Sequence, residues 1–364
     1  MRICHVSILN PVFHSRIYHK WALSQLNHGH EVWLIGQDQE APPHLSNKLR
    51  VIPFPSFSRW AKGRFKAHRI ILRELKKLQP DLVIIHTPEL LWLVAVLKGR
   101  MHFHYDVHED YPKNIAHGHT YPRLLRRILA YTIKVVERKL SASLQTVSYA
   151  EKCYENILNV PREKYIVLEN KFRKTEEKPA RPRLPFNDYL LYTGTITETW
   201  GVFDSLQFWA ELNQHRNIPL VIAGHTHFQA TVERIEAFVY RNKLQDSFLL
   251  VGGTQYVAYH KIKMLIAHAT AIMGLYHDLP QIRGKLPTKF FEAMAFGKPV
   301  IFTPMEAWLA YHQQYSLGIP YFHKESDPLQ IWEELSKWEV QHTPEQWAWE
   351  EKKLALFMDQ HYGI

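Results

Sequence analysis

Short apolar runs alternate along the whole chain with longer amphipathic stretches, the pattern of a parallel sheet whose strands are joined by crossover helices. The first unit reads RICHVSIL (strand), a loop through Asn10, Pro11 and His14, a helix from about Arg16 to Asn27, and GHEVWLIG (strand), with Gly29 stopping the helix. LRVIPF, DLVIIH, HFHYDV, LQTVS and IVLEN carry the series to residue 170. That alternation places the chain in the α/β class.

At 171–187 the periodicity stops. KFRKTEEKPARPRLPFN holds three prolines among dense charge and reads as an exposed connector. Beyond it the rhythm restarts with YLLYTG, PLVIAG, FLLVGG, TAIMGL and KPVIFT, separated by helices near 203–212, 231–242, 258–268 and 289–296. Two Rossmann-like domains follow, 1–170 and 188–342, which suits a length of 364 residues. The remainder, 343–364, reads as a Trp-rich helix, and Trp347 and Trp349 predict that it packs back across the domains.

A chain 46% hydrophobic and 22% charged is globular rather than disordered. Two cysteines, Cys4 and Cys153, are too few for a disulfide framework or a four-thiolate zinc site, so the cytoplasm is the expected compartment. The start lacks the pattern of an export signal. The longest greasy stretch, Leu90 to Leu97, would cover about 12 Å as a helix against the ~30 Å of a bilayer core. A formal charge of +10 favours phosphate-rich partners. It does not choose between nucleotide, nucleic acid and lipid, but no helix-turn-helix, zinc, RRM or KH signature accompanies it, so nucleic acid is not expected.

KLPTKFFEAMAFGKPVI, residues 285–301, is the most informative segment of the second half. Pro287 and Thr288 read as a helix start and Gly297 as its stop. Such a start offers unpaired N–H groups to a phosphate, Lys289 can add a point charge, and Glu292 can accept two ribose hydroxyls. The bland reading is a surface helix with a Lys289–Glu292 pair worth ~0.2–0.5 kcal/mol. Two basic segments with interleaved aromatic and aliphatic residues stand in the first half. RWAKGRFKAHRIILRELKK (59–77) contributes Arg64, Lys66, Arg69 and Arg73, and YPRLLRRILAYTIKVVERKL (121–140) repeats the theme. Helices of this kind lie on anionic bilayers, or else they are crossover helices with a solvated basic face. No Asp-x-Asp and no metal-spaced ligand set joins the His225/His227 pair, so no metal is expected.

PTKFFEAMAFGKPVI resembles the donor-binding segment of GT-B glycosyltransferases, in particular family 4. SRIYHKWALSQLNHGHEVWLI is similar to the N-terminal helix of one branch, YDVHEDYP to its Asp-x-His-Glu loop, and YLLYTGTITETWGV to the first strand and turn of its nucleotide domain. The resemblance implies two Rossmann-like domains facing a central cleft, with a nucleoside-diphosphate sugar as co-substrate and no further cofactor. It places His108 beside the transferred sugar, with Glu109 either polarising an acceptor hydroxyl or capping the next segment. Gly194, Thr195, Thr288, Lys289 and Glu292 fall at the donor. Arg16 and Lys20, four apart on one helix face, would converge on the diphosphate, and His86 and Glu89 would line the acceptor cleft.

The chain departs from the family pattern where Thr195 and Trp200 replace usual cations and Gly284 replaces the first carboxylate of a Glu-x7-Glu pair. Arg283 or Lys285 would then help to neutralise the leaving group. The expected activity is retaining, metal-independent transfer of a hexosyl-type sugar to a glycan or lipid-linked acceptor in cell-surface polysaccharide or glycolipid synthesis, at the inner face of the membrane. A sugar-nucleotide epimerase and a degenerate nucleotide- or glycan-binding protein are the alternatives.

Overall fold

The apolar runs are strands, and every paired neighbour is parallel. The computed structural model describes residues 1–42, 44–57, 63–118, 122–173, 179–323, 325–340 and 344–363. The chain divides into two units, Met1–Arg173 with Trp349–Ile364, and Lys174–Ala348.

In the first unit β1 (Arg2–Pro11), β2 (Glu31–Gln37), β3 (Leu49–Phe54), β4 (Leu82–Ile85), β5 (His102–Val107), β6 (Thr146–Tyr149) and β7 (Tyr165–Val167) form one sheet in the order β3-β2-β1-β4-β5-β6-β7. β4 shows why its sequence is apolar throughout. Val83 and Ile85 pack with Ile71, Leu75 and Leu93 on one face, while Leu82 and Ile84 pack with Trp21, Leu354 and Met358 on the other. Both faces are covered, as parallel sheets require.

The second unit repeats the plan with β8 (Leu190–Thr195), β9 (Leu220–His225), β10 (Phe248–Gly253), β11 (Ala271–Gly274), β12 (Val300–Phe302) and β13 (Gly318–Pro320), ordered β10-β9-β8-β11-β12-β13. The strand order reverses between β1 and β4 in one sheet and between β8 and β11 in the other. Ligands of open α/β sheets bind at such points, outside the carboxyl ends of the strands.

Three elements differ from the sequence expectation. The helix expected from Arg16 opens as a π-helical turn, Ile17–Ala22, before the α-helix Leu23–Asn27. After KPVIFT the second unit continues through helix Glu306–Tyr315, β13 and helix Pro328–Lys337, elements too short or too mixed in pattern to stand out. The tail is not one helix: a turn at Pro344–Trp347 and a helix at Glu351–Tyr362 flank an extended link. Trp347 packs on Phe291 and Tyr315 in the second unit. Trp349 belongs to the first unit, its ring N–H donating to Ser24 Oγ at 3.0 Å and its backbone N–H to Phe172 O at 2.7 Å. Truncating either buried indole would cost about 3–5 kcal/mol. Among the described residues no helix is long and apolar enough to cross a membrane.

Candidate active site

At the carboxyl end of the first sheet the organising residue is Asp106 on β5, fully buried and given no role of its own by the sequence. Its Oδ1 accepts from Arg16 Nη2 at 2.7 Å and Ser148 Oγ at 2.6 Å, and its Oδ2 from Arg16 Nε at 2.9 Å and His108 Nε2 at 2.7 Å. Burial opposes ionisation of this carboxyl, but the Arg16 guanidinium and the His108 ring outweigh it and hold the group well below the usual carboxylate range. His86, directly after β4, lies with Nδ1 2.9 Å from His108 Nε2 and 3.2 Å from Asp106 Oδ2. Burial lowers the His86 pKa to about 3, so the ring is neutral at physiological pH.

The expectation for Arg16 and Lys20 is corrected by their bonds. They converge, as their spacing demands, but on the protein itself. Arg16 Nη1 also donates to Leu168 O at 2.8 Å and Asn170 Oδ1 at 3.0 Å, and Lys20 Nζ donates to Asn170 O at 2.8 Å. Both side chains are 2% exposed and lie 5.8 and 6.0 Å from the centre of the Trp349 ring. They fasten the 168–170 segment and the tail to the sheet rather than standing open to a diphosphate.

Glu109 does not cap the following helix; Asp110 does, accepting from Lys113 N at 2.9 Å. Glu109 Oε2 accepts from Asn114 Nδ2 at 3.0 Å and from Tyr154 at 3.4 Å. Glu89 pairs with Arg64, whose Nε donates to Oε2 at 2.7 Å. Arg64 therefore does not belong with the outward cations, in contrast to Lys66, Arg69 and Arg73, which are exposed on the helix Gly63–Leu78. Arg59, Trp60, Lys62 and Tyr121 lie outside the described residues. Arg64 and Glu89 sit on the wall of a cavity of about 610 Å³ that is also lined by Leu9, Tyr111, Ile115 and Val136. Glu137 closes it, with Oε1 accepting from Tyr105 at 2.6 Å and Oε2 unpartnered; burial pushes its carboxyl up to about 7.

The helix Arg123–Ser141 presents its apolar stripe outward. Leu124, Ile128, Tyr131 and Val135, at helical spacing, are exposed, whereas its buried residues are Ala130, Glu137 and Ser141. That arrangement is the reverse of an ordinary crossover helix.

The second sheet ends differently. Gly194, Gly224 and Gly252 lie in register on β8, β9 and β10. A Cβ on Gly224 would stand 1.8 Å from Gly194 O, and one on Gly252 2.3 Å from Gly224 O, so the strand tips are bare backbone. The runs YTG, IAG and VGG carried this signal in the sequence, where each was read singly. Beyond them the His225 ring stacks on Tyr256 at 4.0 Å, and Tyr256 is 80% exposed.

Lys289 lies beneath Gly194, its Cε 3.9 Å from where a Cβ would sit, and its Nζ is 4.4 and 5.0 Å from the Tyr192 and Tyr276 ring centres. Burial lowers its pKa to about 7, against the pull of Glu292. Glu292, 4% exposed, accepts from Tyr259 Oη at 2.6 Å through Oε1. Thr288 opens the helix Thr288–Ala295 and Thr195 is exposed at the end of β8. Arg283 is bound to Asp278 at 2.6 and 2.9 Å. The structure thus assembles Gly194, Thr195, Thr288, Lys289 and Glu292 in the second unit, and His86, His108 and Glu109 in the first.

Two family models match consecutive parts of the chain, "Glycosyltransferase Family 4" over residues 16–170 and "Glycosyl transferases group 1" over 174–336. The chain belongs to the GT-B glycosyltransferases of this family. Solved structures with the same fold include sucrose-phosphate synthase from Thermosynechococcus elongatus, 14% identical with a TM-score of 0.66 over 99% of this chain and 94% of that one. WaaG, a glycosyltransferase involved in lipopolysaccharide biosynthesis, is 16% identical with a TM-score of 0.65 over 93% and 91%. HepE from Anabaena, in complex with UDP and glucose, is 12% identical with a TM-score of 0.59 over 100% and 95%. No curated protein matches in sequence.

As a GT-B glycosyltransferase the chain has one set of described residues with metal-ligand spacing, His86, Asp106 and His108, whose ligand atoms lie within 4.8 Å of one another. The set does not fit a dication well: the Arg16 guanidinium already bonds both Asp106 oxygens.

Proposed function

We propose that the protein transfers a hexosyl-type sugar from a nucleoside-diphosphate donor to a glycan or lipid-linked acceptor, with retained configuration and without a metal, in cell-surface polysaccharide or glycolipid synthesis. The observation that carries the donor assignment is the bare glycine edge of β8–β10 beside the helix Thr288–Ala295, with Lys289 and Glu292 buried at its start. Phosphate oxygens fit against unobstructed backbone and a helix N-terminus, and a buried carboxylate suits vicinal ribose hydroxyls. The sugar C1–O bond breaks with its electron pair leaving on the diphosphate, the acceptor oxygen bonds to C1, and the acceptor proton is released. Fixed dipoles stabilise the leaving group at no reorganisation cost. His108 faces the sugar, and Glu109 and His86 support it. The 610 Å³ cavity at Glu89 takes the acceptor.

The exposed stripe Leu124, Ile128, Tyr131 and Val135, flanked by Arg123, Arg127 and Lys134, supports docking on an anionic bilayer at the cytoplasmic face. HepE, bound to UDP and glucose in one structure and to UDP-glucose in another, makes UDP-sugars the first donors to try. The test is a panel of UDP-, GDP-, dTDP- and CMP-sugars in a thermal-shift assay, since a ligand of the native state stabilises by about 2.7 kcal/mol at a hundred times its Kd. A raised midpoint with one donor class and a glycosylated product support transfer. An epimerised donor, or binding without product, supports the alternatives; the absence of Arg at Thr195 and the engagement of Arg283 with Asp278 favour the degenerate binder as second reading.

A further inference from the structure

His108 does not end at Asp106. Its Nε2 is 2.9 Å from His86 Nδ1, His86 Nε2 is 2.8 Å from His5 Nδ1, and His5 Nε2 is 2.7 Å from Gln25 Oε1. The His5 and His86 rings lie nearly parallel, 11° apart with centres 5.1 Å apart. His5, Gln25 and His86 are 1%, 4% and 0% exposed, and none was singled out by sequence as acting together. Each neutral imidazole carries one proton, so every bond in the chain decides the next.

The shortest contact selects one polarity. An ionised Asp106 accepts and never donates, so the shortest contact, 2.7 Å, puts the proton on His108 Nε2. His86 Nδ1, at 2.9 Å from that N–H, must then be bare. His86 carries its proton on Nε2 and donates to His5 Nδ1, and His5 donates from Nε2 to Gln25 Oε1. The opposite polarity would set two N–H groups against each other between His86 and His108, or a lone pair of His108 against the carboxylate. Its only gain would be a 3.2 Å bond from His86 to Asp106. The charged and titratable groups facing the chain are His14 and Arg16 from the loop after β1, His104 and Asp106 from β5, and Lys20 from the π-turn; burial of His5 lowers its pKa to about 3, so it stays neutral throughout.

We propose that Gln25, His5 and His86 are positioning residues that hold His108 as its Nε2–H tautomer, so that His108 Nδ1 presents a lone pair to a substrate hydroxyl. Asp106, which only accepts, fixes the sense of the chain, and Gln25 Oε1 accepts at its far end. The proposal rests on the reading of His108 as the residue facing the sugar.

The experiment has two arms on the full chain. Nitrogen-15 NMR of histidine-labelled protein, assigned by single substitutions, reads the tautomers directly. The expected result is a proton on Nε2 of His5, His86 and His108; a proton on Nδ1 of His86 overturns the proposal. In the second arm His5→Phe removes both nitrogens at similar volume and frees His86 to give its proton to Asp106 in competition with His108, while Gln25→Met removes the acceptor at the far end more gently. Both variants should lower kcat by about tenfold or more, with the KM for donor within about twofold, and shift the pH profile of kcat, as expected when a tautomer is lost. Trp21→Phe, a buried neighbour of His5 with ring centres 6.4 Å apart, should lower stability and leave the profile unmoved. Gln25→Glu keeps an acceptor and should restore most of kcat. Unshifted profiles in both His5→Phe and Gln25→Met overturn the positioning role. His108→Ala with full activity, alongside the expected tautomers, would instead overturn the reading of His108 itself.

Discussion

The two sheets share a topology and use the same place in it in opposite ways. At the β1/β4 reversal the carboxyl ends are filled with side chains that satisfy one another: Asp106, Arg16, Ser148 and a row of histidines. At the β8/β11 reversal the ends are cleared by Gly194, Gly224 and Gly252, and the nearby charges, Lys289 and Glu292, are buried just behind the bare edge. A prefilled site holds a few groups in fixed orientation, whereas a cleared one leaves backbone N–H groups and space for a large anion. The proposed function accordingly gives orientation to the first unit and phosphate binding to the second.

The comparison can be broken most forcefully at Asp106. Asp106→Ala leaves the Arg16 guanidinium buried without its carboxylate, and such a loss costs about 3–5 kcal/mol. Urea denaturation should show it as a lower midpoint for the first unit, and an unchanged midpoint would mean that the prefilled site is not held together by this carboxylate. In the second unit the larger effect of the same kind of change should fall on donor binding, beside a loss of stability as Tyr259 Oη and Lys289 lose a buried partner. Glu292→Ala should lose about two charge-assisted hydrogen bonds to the donor, near 3 kcal/mol or roughly a hundredfold in Kd by calorimetry.

Protons sharpen the contrast. Glu137 has a folded pKa raised from 4.5 to about 7, so the folded first unit binds more protons than the unfolded chain between those values. Its stabilising contribution is complete below pH 4.5 and is lost as pH rises to 7. Lys289 has a folded pKa lowered from 10.5 to about 7, so the folded second unit binds fewer protons, and stability rises with pH from 7 to 10.5. Each slope is at most about 1.4 kcal/mol per pH unit. Scanning calorimetry of Glu137→Gln and Lys289→Met should flatten the acid and alkaline limbs respectively, and unaltered limbs would remove the two groups from the account.

The smallest expected effect per residue is at the exposed cations. Neutralising Lys66, Arg69 and Arg73 should weaken binding to anionic vesicles by about 1 kcal/mol per residue, with release by salt and no change toward a short soluble acceptor. Equal sedimentation with neutral vesicles would make them an ordinary solvated face.

Strands and class were legible because each apolar run faces cover on both sides, which leaves an unbroken signature. β13 and its flanking helices were not, since Gly318, Ile319 and Pro320 make no apolar run and the helices are mixed in pattern. The segment proposed to hold the donor was legible as a helix start with Thr288, Lys289 and Glu292, and the glycine row was visible only once strand register joined three separate tips. Arg16 and Lys20 show the deeper limit: a spacing of four gives convergence, but the same spacing serves a solvated face, a ligand clamp or an internal tie. Asp106 was hidden for the same reason, as its partners lie 90 and 42 residues away in Arg16 and Ser148. Trp347 and Trp349, two residues apart, read as one packed tail and belong to different units.

The central claim, that the cleared edge of the second sheet is the donor site, is tested most directly by amide hydrogen exchange with and without a saturating UDP-sugar, or whichever donor raises the thermal midpoint. The account predicts slowed exchange at 194–196, 224–226 and 288–292, abolished in Glu292→Ala. Protection confined to 86–89 and 107–111, with 288–292 unmoved, would contradict it and transfer the donor to the prefilled site.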